Sequence, residues 1–325
     1  MSNSRKAFHE IWQLKLNEPQ SGCSLWLRFS ILRSRNGFRE LAEVSAVYSQ
    51  RGAQKEIKRA ALKQSFDLSL FKFEAPHSIQ VGESFLNLNH CRGSLHSKGQ
   101  SLSWDLSLNS SETLSFNAVP ELLNKLTFNH QKRTTLQENL TVTGKLVVNN
   151  TQIELSHAEG CLSYMDQPTP LRTEAWAQCN LFQTEQGENA DFIFEGFSTQ
   201  PKLSFLNLPK VSSFYFRYQK KEYVFNLLKN SLLHKSTCQL SSWDFQVDQG
   251  ELSFRGQIKA ELKDFTGLTF ETINGSLIYN SNSHLSDMKI LVYRKGKLES
   301  TFLSLGTTGF EISSSQKNPY VPILL

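Results

Sequence analysis

A chain of 325 residues with 39% hydrophobic and 20% charged side chains has the composition of a globular protein, long enough to bury one large core or two smaller ones. Its net charge of +5 is concentrated between positions 28 and 63, where nine Lys and Arg face three Glu. That stretch lacks the interleaved aromatics, zinc ligands and groove-reading helix of a nucleic-acid binder. No segment nears the roughly 18 apolar residues of a membrane span, and no apolar signal core follows Met1. Phosphate-loop, dinucleotide and nucleophile-elbow motifs are absent. The expectation is a cytoplasmic chain without metal or cofactor, whose basic stretch from Arg28 to Lys63 makes peripheral contact with an anionic membrane. A solvated basic face is the plainer reading of the same residues.

Period-two alternation then dominates, in chain order. Over residues 8–16 one face carries Phe8, Glu10, Trp12, Leu14 and Leu16, and the other His9, Ile11, Gln13 and Lys15. On the next strand, 25–32, Trp26 and Arg28 share a face. A Glu10–Arg28 pair beside Trp12 and Trp26 is therefore expected, either closing a barrel floor or holding an acid for proton donation. Residues 54–63 read as a short basic helix. A strand follows at 102–108 and a helix starting at Pro120, with Pro at the first helical position. Strands at 140–148 and 152–155 are separated by Asn149-Asn150, whose residue types suit a two-residue hairpin. Similar turns are expected at Lys98-Gly99, Lys220-Lys221, Asn274-Gly275 and Lys295-Gly296. A proline-broken stretch from Met165 to Pro170 marks a boundary, dividing the chain into 1–165 and 166–325.

Past that boundary a rough repeat appears: Glu174-Ala-Trp176 resembles Glu10-Ile-Trp12. Strict alternation places Glu174, Trp176, Gln178, Asn180 and Phe182 on one side and Ala175, Ala177, Cys179 and Leu181 on the other. One carboxylate, two amides and two aromatics suit a ligand pocket, and equally a polar interface between domains. Tyr164 and Asp166 lie just upstream. A long strand is expected from Leu252 to Lys263. Five Cys without C-x-x-C spacing and eight scattered His read as buried thiols and isolated imidazoles, with no metal site. The 23 Phe against three Met favour strands around large apolar interiors.

An ordered series of segments carries a family likeness. It comprises Phe8-His-Glu-Ile-Trp12, Ser24-Leu-Trp-Leu-Arg-Phe29, Leu41-Ala-Glu-Val-Ser-Ala-Val47, Lys55-Glu-Ile-Lys58 and Val81-Gly-Glu-Ser-Phe85. Cys91-Arg-Gly-Ser-Leu95, Ser103-Trp-Asp-Leu106, Pro120-Glu-Leu-Leu123 and Trp176-Ala-Gln-Cys-Asn180 complete it. This series resembles the AttH-type, hydroxyneurosporene synthase (carotenoid 1,2-hydratase) and tocopherol cyclase-like group. The resemblance implies an all-β chain of two consecutive lipocalin-like antiparallel β-barrels. It also implies cofactor-free hydration, cyclisation or isomerisation of an isoprenoid, polyene or lipid in an apolar barrel pocket. Two positions depart from that pattern: Gln178 stands where the family carries His, and Glu174 where it carries an aromatic. The expected catalytic groups are Glu174, Gln178 and Asn180. The expected ligand-binding groups are Trp12, Trp26, Trp176, Phe182, Glu10, Arg28 and Tyr164. The alternative expectation is a lipid carrier or scaffold that has lost the acid–base set.

Overall fold

A computed structural model describes residues 7–325 apart from 38, 53, 55, 76, 111–115, 122–131, 167–172, 201, 204–205, 208 and 228–233. The chain is all-β, built as two large antiparallel sheets that curl in the manner of lipocalin-like barrels. The first draws its strands from Phe8–Glu18 to Thr151–Asp166 and the second from Thr173–Cys179 to Lys297–Ser314. In the first, the opening strand Phe8–Glu18 lies between Cys23–Arg33 and the returning strand Thr151–Asp166. In the second, Thr173–Cys179 lies likewise between Phe192–Thr199 and Lys297–Ser314. Opening and closing strands thus meet at the centre of each sheet. The first sheet curls far enough to bring Ile57–Phe66 against His90–Ser97 and Gln100–Ser110.

Each sheet wraps its own core. Trp12, Leu14, Leu25, Leu27, Phe29 and Leu62 belong to the first. The second is a mass of aromatic rings, with Phe194 stacked on Phe245 at 5.0 Å and Phe216 on Phe254 at 4.3 Å. This density is where the abundant Phe go: the rings fill the second interior, aided by Gly256, where a Cβ would overlap the Phe245 ring. The central strands are buried on both faces. The outer face of one sheet packs on the outer face of the other, which buries Gln13, Lys15, Asn17 and Arg28.

Two-residue hairpins form where the residue types demanded them. Asn149 and Asn150 have φ of 47° and 70°, and Lys98-Gly99 and Lys295-Gly296 adopt the same left-handed pair. The expected Lys220-Lys221 turn falls one residue earlier, at Gln219-Lys220, because Tyr218 pairs with Lys221. Residues 54–63 are not helical: Ile57–Phe66 is a strand. Its Ala60 and Leu62 enter the first core, and Arg59 and Lys63 point the other way toward the second sheet. The strand from Leu252 stops at Lys259, and Leu262–Asp264 is a 3-10 turn that buries Asp264. The helix expected from Pro120 runs into 122–131, outside the described residues.

Candidate functional site

The Glu10–Arg28 pair does not form. Strand pairing sets Gln13 opposite Arg28 and Lys15 opposite Trp26, while Trp12 faces Phe29 and Glu10 faces Ile31. Directly paired residues share a face, so Glu10 and Trp12 point into the first barrel, whereas Arg28 and Trp26 point toward the second sheet. Near the first core Glu10 accepts from the Tyr164 hydroxyl at 3.1 Å, and Tyr164 packs on Trp12 with ring centres 5.3 Å apart. Burial raises the Glu10 carboxyl above its ordinary range, against the Tyr164 hydrogen bond that lowers it.

The face of the second opening strand also divides. Ala175, Ala177 and Cys179 enter the second core, so Glu174, Trp176 and Gln178 point outward at the first sheet. Alternation breaks at Asn180-Leu181, and Phe182 turns back into the second core against Phe192, 5.1 Å away. The Glu10/Glu174 repeat is likewise out of phase. Trp12 faces its own core, while Trp176 faces the neighbouring sheet; a one-residue slip exchanges the faces of a strand.

Between the sheets lies a polar seam. The Trp176 indole donates to Glu195 at 2.9 Å, and the Thr135 hydroxyl donates to the same carboxylate at 2.6 Å. Gln178 donates to the Glu138 carbonyl at 3.4 Å, and Asn180 to the Gly160 carbonyl at 3.1 Å. Buried Lys15 donates to the Thr307 carbonyl at 3.1 Å, and Asn17 to that of His284 at 2.7 Å. Burial lowers Lys15 and raises Glu195 relative to their ordinary ranges.

At one end the seam opens into a cavity of about 60 Å³ whose lining includes His9, Gln13, Trp26, Arg28, Arg133 and Glu174, with Phe270, Asn280 and Glu311 beside them. Glu311 is its most confined acid. Gln13 donates to it at 2.5 Å and Asn280 at 3.3 Å, and the His284 imidazole lies 3.6 Å away. Burial raises the Glu311 carboxyl, with Arg133, Asn280 and Gln13 acting against that shift. Burial and then Lys15 hold His284 well below its usual range. Arg28 lies 3.7 Å over the Phe270 ring and donates to His9 at 3.3 Å, with Glu43 3.9 Å off. Burial brings Arg28 down to about 10; His9 falls to about 3 through burial and then the Arg28 charge. A cleft of about 330 Å³ shares His9, Arg28, Phe270 and Glu271 with the cavity, and Leu32, Leu41 and Leu277 line it further out.

Of the ten residues expected at a site, Glu174, Trp26 and Arg28 line this cavity. Trp176, Gln178 and Asn180 sit in the seam, Phe182 in the second core, and Glu10, Trp12 and Tyr164 at the first. Sequence reasoning missed Glu311, Arg133, Gln13 and Asn280. Glu311 alternates with Phe310 and Ile312, which reads as a solvated strand face; the usable signal was Asn280-Ser-Asn-Ser-His284, polar on both faces. The basic stretch is also placed differently from an open patch. Arg28 stacks on Phe270, Arg39 pairs with Glu271, Arg51 with Asp264, and Arg59 and Lys63 donate to the Lys263 and Thr269 carbonyls. These five cations fasten the first sheet to the second. Among the described residues no group of three His, Cys, Asp or Glu is placed to hold a metal, and no helix is long and apolar enough to cross a membrane.

No family model matches the sequence, and no curated protein matches it. Solved structures do share its fold. A protein assigned as AttH from Nitrosomonas europaea matches with a TM-score of 0.50 and 11% identity, over 97% of this chain and 94% of its own. CghA, solved with Sch210972, matches with a TM-score of 0.54 and 9% identity over 96% and 90%. Kievitone hydratase from Nectria haematococca matches with a TM-score of 0.55 and 8% identity over 95% and 90%. At these identities the likeness is one of fold alone: the chain shares the lipocalin-like architecture of these structures.

Proposed function

We propose that this protein binds an amphipathic small molecule between its two sheets and that Glu311 delivers a proton to it. The observation that carries this reading is a buried carboxyl, biased toward its neutral form, at the end of a cavity walled by Trp26 and Phe270. A carboxyl whose neutral form is favoured by burial is suited to general-acid work. The cavity takes the polar end of the ligand. The body lies in the adjoining cleft, whose volume reaches the lower range for small-molecule sites. In the hydration form of the reaction, protonated Glu311 adds its proton to one carbon of a double bond, leaving a carboxylate and a carbocation facing the rings. Water then adds to the cation, and its surplus proton returns to Glu311. Cyclisation or isomerisation uses the same first step with a different capture. Likeness to a protein named a hydratase is compatible with this reading.

Gln178, placed in the seam on a backbone carbonyl, supports a positioning role for that residue rather than proton transfer. A non-catalytic carrier keeps the cavity and omits the proton step, and one experiment separates the two. Native mass spectrometry of gently isolated protein is expected to show a bound small molecule. Incubating that molecule with the protein in deuterated water should place deuterium in the product. Glu311→Gln is expected to retain binding and lower incorporation by roughly 10²-fold or more. Binding without incorporation in the wild type identifies a carrier, and incorporation unchanged by Glu311→Gln removes Glu311 from the mechanism.

A further inference from the structure

We infer that the cavity between the sheets is an acid-group pocket, in which the guanidinium fork of Arg133 receives the carboxylate of the ligand. This deepens the binding reading above and rests on it. Arg133 stands on the strand Lys132–Val148, lines the cavity and is only 5% exposed. Its Nη1 donates to the Met165 sulfur at 3.1 Å, and its guanidinium lies 4.8 Å from the Trp176 ring centre. Its Nε and Nη2 have no acceptor among the described residues. Those two nitrogens form one edge of the guanidinium, with parallel N–H bonds, and that edge matches the two oxygens of a carboxylate.

The Arg133 charge lowers both the Glu195 and the Glu311 carboxyls, yet neither accepts a hydrogen bond from this edge. Glu195 accepts from Thr135 and Trp176, and Glu311 from Gln13 and Asn280. Arg stays charged at any pH the protein meets, and buried donors without acceptors are costly to keep. A carboxylate docked on the edge satisfies both donors at once. Arg28 adds a second buried positive charge on the same cavity. Burial biases Glu311 toward its neutral form, which weakens repulsion of an incoming anion.

Size narrows the class further. About 60 Å³ accommodates an acid group and excludes a long chain, whereas the cleft of about 330 Å³ has room for a short body, with Phe270, Leu32, Leu41 and Leu277 as its apolar wall and Arg39, Glu43 and Lys63 among its polar lining. The ligand class is therefore a medium-chain or small aromatic carboxylic acid. A double bond close to the acid group places its unsaturated carbons near Glu311.

Calorimetric titration of the full chain with decanoate and with 1-decanol tests this. The wild type should bind decanoate at least about tenfold more tightly than 1-decanol, the margin of a charge-assisted bidentate contact. Arg133→Gln should abolish that preference, weakening decanoate binding far more than 1-decanol binding. Arg133→Lys keeps the charge without the fork and should also lose most of the preference, so it carries the test if the Gln variant fails to fold. Equal affinities in the wild type, or a preference that survives in Arg133→Lys, overturns the inference while leaving the cavity as a binding site. Failure of both probes to bind overturns the inference together with the reading on which it rests.

Discussion

Buried ionisable side chains pull the stability of this molecule in opposite directions as pH changes. Glu138, which accepts from the Tyr215 hydroxyl at 2.7 Å, is pushed by burial from 4.5 up to about 7. A carboxyl raised on folding contributes its stability below its unfolded value and loses it as pH climbs through the folded one; here that loss is on the order of 3 kcal/mol. His9 behaves oppositely. Depressed from 6.5 to about 3, it contributes stability above the higher value and loses it as pH falls toward the lower. Because His9 offsets Glu138 below about pH 6.5, the Glu138 contribution is read by difference: in urea unfolding the wild type should lose stability relative to Glu138→Gln between about pH 5 and about pH 7. A variant whose stability follows the wild-type pH profile contradicts the role given to Glu138. At this scale Trp26, Arg28 and Glu174 stood out in the sequence as an aromatic or a charge on an apolar strand, and the structure places all three in the lining of the cavity. Glu311 and Arg133 did not stand out, since an acid or a base on an alternating strand looks solvated until a second sheet covers it.

At the scale of elements, alternation and turn chemistry carried most of the information. Asn149-Asn150 and Lys295-Gly296 sit where their tolerance of positive φ is needed. The strand Ile57–Phe66 misleads because Lys58, Arg59 and Lys63 around Ile57, Ala60 and Ala61 mimic a helical face. Its true period is two, with Leu62 inward and Lys63 outward. Pairing register was beyond the sequence: Glu10 and Arg28 seemed natural partners until the ladder placed Gln13 opposite Arg28. The strand Lys297–Ser314 shows how closely elements from the two halves fit. A Cβ at Gly309 would meet the His284 Nδ1 at 2.8 Å and the Lys15 Cε at 3.3 Å. Gly309→Ala is expected to cost about 1–3 kcal/mol by overpacking the seam. Denaturant titration checks this, and a stability equal to wild type shows that the His284 and Lys15 side chains are not packed against Gly309 as described.

For the whole molecule, the decisive feature is that two curled sheets press outer face to outer face through a contact that mixes buried polar groups with apolar clusters such as Trp26, Val47, Leu268 and Phe270. Residues that a single barrel would leave to solvent, among them Gln13, Lys15, Arg28 and Glu311, become the lining and support of a cavity between the sheets. The sequence led to the expectation of an apolar pocket inside a barrel. Leu and Trp side chains fill the first core and Phe rings the second, and the cavity singled out here lies between the sheets. The sequence series resembling the AttH-type group pointed to the architecture, whereas this space depends on contacts between residues nearly 300 positions apart, such as Gln13 and Glu311. Photolabelling tests the central claim most directly: a diazirine-bearing decanoate is irradiated with the full chain and its adducts are mapped by peptide mass spectrometry. Adducts should fall on the peptides carrying Gln13, Trp26, Arg133 and Phe270, and excess decanoate should suppress them. Adducts confined to the barrel cores or the outer surface, or none that decanoate suppresses, would contradict a ligand site between the sheets.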